Sequence, residues 1–444
     1  ERLALEYPAL LPCVATGGRN SNLSCGRPLA DIMKLAVIGS GISGLACAHL
    51  LKKNHEIVLF EAANKPGGHV NTVDVNGRTG DYRVDTGFIV FNEQNYPNFV
   101  RLLKSLDVQS QPTRMGFSVR SERTGIEYSG ESILGLFGGF KNLTDPKHWG
   151  MVQDLLRFHR LAEGSGNEDE TVGEFISRHR FGKRFAEAFL LPLGSALWSC
   201  SVDRFSSFPI EFLTDFLSNH NMLQAYNRPV WRVLQGGSRT YVDKIVEGLG
   251  DRLRLSTPIR SVERSENGVT LSLPDGSTQW FDQAILACHA DQSLKMLDGA
   301  ESEEIELLQK FPYEQNKVCL HSDDRLLPRR TSARASWNAY LPKEKKDHSV
   351  VTYDMNILQS LPTKEPFCVS LNQESSIDPS LRHADFTFEH PTYHPGRKSA
   401  QAMHSSFIQR RGISLCGAYW GYGFHEDGLA SALRVCQSFG EELG

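Results

Sequence analysis

The chain has 444 residues, 40% of them hydrophobic and 23% charged, with a formal net charge of −4. That length is more than one simple core organises, so two domains interleaved in sequence are expected. A mildly acidic chain without a basic stripe carries no footprint for nucleic acid, and no stretch approaches the roughly 18 consecutive apolar residues of a membrane-spanning helix.

Residues 1–32 come first. They have neither the basic start and apolar core of a secretion signal nor the acid-poor, amphipathic character of a transit peptide. Their Pro, Gly, Asn and Ser content predicts a poorly ordered tail or upstream extension, with Met33 as the working start. The nine cysteines are scattered, without a Cys-x-x-Cys pair, as expected of reduced thiols in a cytoplasmic protein. No histidine pair has ligand spacing on a helix, so no metal is predicted.

Residues 34–39, KLAVIG, form a short apolar run rich in β-formers, followed by Gly39, Gly41 and Gly44 in the pattern G-x-G-x-x-G. Apolar positions Ile42, Leu45 and Ala46 then recur at helical spacing. A second strand, HEIVLFEA, ends at Glu61, twenty residues after Gly41. In such a unit Gly39 permits the tight turn, Gly41 lets backbone approach a pyrophosphate, Gly44 packs helix on strand, and Glu61 accepts from an adenosine ribose. No arginine near Glu61 awaits a 2′-phosphate. A second glycine pair, Gly67 and Gly68 in NKPGGHVNTV, offers another backbone approach to phosphates, which favours FAD over a nicotinamide dinucleotide.

From residue 96 to 234 the pattern is mainly helical, in YPNFVRLLKSL, MVQDLLRFHRLA, TVGEFISRHR and FAEAFLLPLGSALW. The glycine-rich ILGLFGGF at 133–140 reads as a loosely packed core helix, or as a segment touching an acyl chain or a membrane surface. Another glycine turn precedes a helix in QGGSRTYVDKIVEGL, and strands broken by turns at 266–268 and 274–276 follow, ending in the buried strand AILACHA. Residues 291–404 mix the helix ESEEIELLQKF with strand-like KVCLHSD, HSVVTYDMNIL and FCVSLN, which suits a second sheet. The chain closes with GISLCGAYWGYG, strand then loop, and with HEDGLASAL opening a helix.

Together GGHVNTV, VDTGFIVFNEQNYPN, LWSC and CGAYWGYGFHEDGLASAL resemble the FAD-containing amine oxidase superfamily, with its protoporphyrinogen oxidases and phytoene desaturases. They resemble more closely the bacterial flavoproteins called predicted NAD/FAD-binding proteins, and the flavin-oxidase-like N-terminal half of plant cyclopropane-fatty-acid synthases. The resemblance implies an α/β fold with an α+β substrate part. A discontinuous Rossmann-type FAD-binding domain would comprise 33–95, 235–292 and 405–444. The substrate domain would comprise 96–234 and 293–404, with 96–200 mainly helical. Motifs and resemblance together assign FAD contacts to Gly39, Ser40, Gly41, Ile42, Ser43, Gly44, Glu61, Ala62, Gly67, Gly68, His69, Thr86, Gly87, Ser261, Val262, Gly417, Asp427, Gly428 and Leu429. The resemblance places the backbone near Ile259 to Val262 beside the adenine, and by position Ser261 and Val262 are the residues carried over. Asp427, Gly428 and Leu429 are carried over as helix-start amides facing the flavin, the plainer reading being an Asp427 cap with Gly428 in the first turn. Where many relatives place a ribityl-binding acid, this chain has Ala418.

Lys317 falls where amine oxidases hold a water against flavin N5, or else is a surface lysine at a strand edge. Arg114, Glu187, Asp203, Arg204 and Glu211 are unranked substrate-binding candidates, and Trp198, Trp231, Trp337 and Trp420 candidate pocket walls. No nucleophile elbow or paired acids support hydrolysis, so the chemistry expected is the cofactor's. The leading expectation is hydride removal from an apolar, lipid or fatty-acyl substrate. Alternatives are an amine or porphyrinogen-type oxidase and a non-catalytic flavin-binding partner of a lipid methyltransferase. Peripheral membrane contact is compatible with each.

Overall fold

The computed structural model describes residues 32–137, 139–162, 169–219, 229–344, 350–394 and 396–444. The tail at 1–31 and residue 138 of ILGLFGGF lie outside them; Ile133–Phe137 is helical. The strand Lys34–Ile38 is buried through Leu35, Ala36, Val37 and Ile38. Alternation sends Leu35 and Val37 into one apolar core and Ala36 and Ile38 into another, as expected of a strand covered on both faces. It is central in a parallel five-stranded sheet ordered Leu253–Arg254, Glu56–Phe60, Lys34–Ile38, Gln283–Leu286 and Ile413–Leu415.

The helices Ile42–Leu51 and His425–Ser438 belong to the core on one face, with Arg239–Glu247 beside them. All of Ile42–Leu51 but His49 is buried, and its small residues Gly44, Ala46 and Ala48 allow close approach of its neighbours. The other core includes the antiparallel strands Ser261–Ser265, Gly268–Ser272 and Thr278–Phe281.

A seven-stranded mixed sheet runs in the order Arg382–Pro391, Tyr313–His321, Cys368–Leu371, Val351–Asp354, Trp337–Leu341, Phe117–Ser121 and Glu127–Ser129. The last two lie in the stretch read as mainly helical. Residues Ser118 to Ser121 are all buried, so Phe117–Ser121 shows no alternation, and it pairs in parallel with a strand some 220 residues away. Arg382–Pro391, a ten-residue strand, was equally silent in the sequence because its exposed positions alternate only with half-buried ones.

The helical part holds a π-turn at Ala186–Leu190 running into Leu191–Leu197. Pro192 has no N–H to return to the Ala188 carbonyl one turn earlier. Tyr128 Oη donates to that oxygen instead, at 2.5 Å. Among the described residues no helix is long and apolar enough to cross a membrane, and no group of three His, Cys, Asp or Glu is placed to hold a metal ion.

Candidate functional site

The three glycines after the first strand meet different constraints. Gly39 has φ +100°, and a Cβ there would lie 2.8 Å from Ala287 O. A Cβ on Gly44 would lie 1.8 Å from Gly39 O, so helix and turn touch backbone to backbone. A Cβ on Gly41 would meet nothing within 4 Å, because Gly41 borders a cavity. Gly41 is also the N-cap, with no side chain capping the helix, so the first-turn N–H groups are left for a ligand.

The second glycine pair closes over the first. Gly67 N donates to Ser40 O at 3.0 Å, and a Cβ on Gly68 would lie 2.9 Å from Gly41 Cα. Glu61 Oε2 accepts from Ser40 N at 2.8 Å and Ser40 Oγ at 2.6 Å, while Oε1 accepts from Ala63 N at 2.8 Å. The carboxylate is thus held at the mouth of the glycine turn. Phe88 N donates to His69 O and Thr86 N to Asn71 O, locking the two segments together beneath the cavity. A Cβ on Gly87 would lie 1.9 Å from His69 O.

The cavity is about 910 Å³ and runs from this turn to an aromatic chamber. Its middle is walled by His69, His289 and His390. His69 Nε2 contacts Glu389 O at 3.0 Å, His289 Nδ1 lies 3.3 Å from Glu389 Oε2, and His289 stacks on Tyr313 with centroids 4.3 Å apart. Burial holds the rings neutral, His69 down to about 4 and His390 down to about 3. His425 stacks on Phe88 at 3.8 Å and contacts Tyr241 Oη at 2.8 Å, and burial takes it to about 3.

A profile of the family described as flavin containing amine oxidoreductase matches residues 42–344. The chain belongs to that family. Protoporphyrinogen oxidase 2 of Arabidopsis thaliana is 27% identical over 191 residues, which are 40% of this chain and 35% of that protein. The chain thus matches about a third of this curated relative's length. Among solved structures, cyclohexylamine oxidase from Brevibacterium oxydans superimposes with TM-score 0.67 at 14% identity, covering 92% of this chain and all of that one. A CLA-producing fatty acid isomerase from P. acnes gives 0.64 at 13%, covering 92% and 98%. At these identities the likeness shows the fold.

FAD is the cofactor of this flavin-containing amine oxidoreductase, and the residues fit it: the open side of Gly41, the uncapped helix start and the Gly67–Gly68 cover form a cradle that side chains would fill. Glu61 and Ala62 would hold the ribose end, and Gly39 to Ser43 with Gly67 and Gly68 the pyrophosphate. His69, Thr86, Gly87 and Gly417 also line the cavity.

Several expected contacts lie elsewhere. Ser261 and Val262 belong to an antiparallel strand whose Val262 is buried in the adjoining core; the backbone that reaches the cavity is Thr257, Pro258 and Ile259, just after a parallel strand. Asp427, Gly428 and Leu429 do not line the cavity. Asp427 Oδ2 accepts from Phe424 N at 2.8 Å, Gly428 packs on Ile42 and its carbonyl accepts from Ser43 Oγ, and Leu429 is core. Since the helix begins at His425, it is Gly423, Phe424 and His425 that face the cavity. Gly44 acts from behind as a packing contact.

Lys317 points outward: its side chain is 70% exposed and lies 3.2 Å from Glu374. Its neighbours Asn316 and Val318 are buried, and Val318 reaches the cavity. Arg114, Glu187, Asp203, Arg204 and Glu211 do not line it; Arg114 pairs with Glu131 and Glu211 with Lys398. Trp198, Trp231 and Trp337 do, whereas Trp420 stacks on His404 in the core. Sequence reasoning missed His289, Glu389, His390, Tyr393 and Phe424. His289 carried a usable signal, since it follows the C-terminal end of a parallel strand, where α/β sheets bind ligands.

Proposed function

We propose that this flavoprotein is an oxidoreductase that removes a hydride from an apolar, lipid-like substrate, a fatty-acyl chain being the simplest. The observation that carries the reading is the composition of the far wall. Met115, Leu197, Trp198, Phe216, Trp337, Tyr353, Leu358, Tyr393, Tyr422 and Phe424 line it. The charged lining residues, Glu61, Lys295 and Glu389, belong to the glycine-turn and histidine walls. Bound FAD supplies hydride acceptance at N5, with reoxidation by O2 or another acceptor.

The protein's own contribution is binding and exclusion. Burial of an alkyl chain against this wall is favourable by about 25 cal/mol per Å² and leaves water out of the chamber. The rings of His69, His289 and His390, held neutral by burial, present uncharged hydrogen-bonding groups beside the chamber and are weak bases there. An amine or porphyrinogen-type substrate is the second reading, favoured by the family itself. A cationic amine entering the aromatic chamber would meet no carboxylate among its lining residues, and a neutral macrocycle would not need one.

Anaerobic mixing of the holoprotein with fatty acids, amines and a porphyrinogen separates these readings. Bleaching of the flavin by the acyl chains alone is expected. Bleaching only by an amine or porphyrinogen transfers the assignment to the second reading. A flavin that none of them reduces leaves the module a binding partner, for which co-purification with a lipid methyltransferase is the direct test.

A further inference from the structure

The partners of two cavity histidines decide which of their nitrogens carries hydrogen. His69 Nε2 lies 3.0 Å from Glu389 O. A carbonyl oxygen only accepts, so Nε2 bears the hydrogen, and in a ring that burial keeps uncharged Nδ1 bears none. Phe388 stacks on the ring with centroids 5.3 Å apart and holds it in place. The free nitrogen of His69 is therefore an acceptor.

His390 is fixed the opposite way, through two side-chain amides. Lys317 N donates to Asn372 Oδ1 at 3.0 Å, so Asn372 presents its Nδ2 to Asn316, whose Oδ1 accepts it at 2.7 Å. Asn316 is left with Nδ2 toward His390 and donates to Nδ1 at 3.2 Å. Turning over either amide, or both, sets two donors face to face. With Nδ1 accepting and the ring again held uncharged by burial, the hydrogen of His390 sits on Nε2, which is a donor.

Neither His69 Nδ1 nor His390 Nε2 has a partner among the described residues, and neither is sealed in the interior. Both residues line the cavity, with ring centroids 5.3 Å apart. A fixed acceptor beside a fixed donor, both uncharged, suits a group that donates and accepts at once, which is a hydroxyl. A carboxylate has no hydrogen for Nδ1, and an ammonium accepts nothing from Nε2. His69 directly follows Gly68, which covers Gly41 in the pyrophosphate cradle. Between that cradle and the aromatic chamber, the hydroxyl-bearing part of FAD is the ribityl chain. We propose that His69 and His390 together hold a ribityl hydroxyl of FAD, His69 accepting from it and His390 donating to it. The nearby alternatives are closed: Gly417 and Ala418 bring no polar side chain to the cavity, and Tyr419 Oη is sealed in the core. Glu389 is taken up by Gln315, which donates to Oε1 at 2.8 Å, and by His289, 3.3 Å from Oε2. The inference is independent of which substrate is oxidised.

The test is fluorescence titration of the full-length apoprotein with FAD and with an analogue whose ribityl is replaced by an unhydroxylated five-carbon chain. The parent should prefer FAD about tenfold. His69→Phe and His390→Phe should each lower the affinity for FAD about tenfold and leave that for the analogue unchanged, so that the preference disappears. His69→Asn and His390→Gln, whose amide oxygen and nitrogen replace Nδ1 and Nε2, should keep part of it. Should His69→Phe fail to fold, the His390 variants decide. A parent that binds both flavins alike would overturn the proposal. So would phenylalanine variants that weaken both flavins equally, the mark of a structural role, or that bind FAD like the parent.

Discussion

Gly39, Gly41 and Gly44 fall within six consecutive positions and respond to substitution for different reasons. Gly44→Ala drives a Cβ into Gly39 O, so the helix must shift from the strand; a loss of roughly 1–3 kcal/mol is expected, read as a lowered Tm of the apoprotein. Gly41→Ala places its Cβ in open cavity space. Apoprotein stability should then change by no more than about 0.5 kcal/mol while flavin titration shows weakened binding. Lys317→Met should leave the rate of substrate-driven flavin bleaching unchanged, because the ammonium sits outside beside Glu374; a slowed rate would return it to the cofactor.

At the scale of elements, the π-turn shows how one residue without an N–H recruits a distant partner. Tyr128 is buried, and its hydroxyl satisfies the carbonyl that Pro192 cannot. Tyr128→Phe therefore leaves a buried carbonyl unpaired, at an expected cost of about 1–3 kcal/mol in thermal unfolding, with flavin binding retained. The terminal helix is similarly fixed from outside the cavity: Asp427 closes its first turn and Gly428 meets Ile42 and Ser43. Gly423, Phe424 and His425 at its start line the cavity, whereas Asp427, Gly428 and Leu429, assigned to the flavin by resemblance, pack behind it.

For the whole molecule, buried neutral histidines set the pH response. His69, His321 and His404 are held down to about 4, and His390 and His425 to about 3, all by burial. The unfolded chain protonates these rings near 6.5 and the folded one does not until about 4 or below, so stability is lost as pH falls across that window. Asp85 and Asp427, raised to about 6 by burial, oppose this between about 4 and 6, where the folded state is the one holding the extra proton. With more histidines than such carboxylates, Tm should fall between pH 6.5 and 4; a flat or rising profile would contradict the neutral interior. The sequence by itself determined the dinucleotide cradle, because strand, glycine turn, helix and Glu61 lie within one short unit whose geometry is local. Only the tertiary structure decided the rest of the cavity, since Thr257, His289, Glu389 and Phe424 meet through strand order rather than spacing. It also decided Lys317, because strand side chains alternate: with Asn316 and Val318 buried, the residue between them must face out, and one step of phase in a chain pattern cannot be read without the sheet it joins.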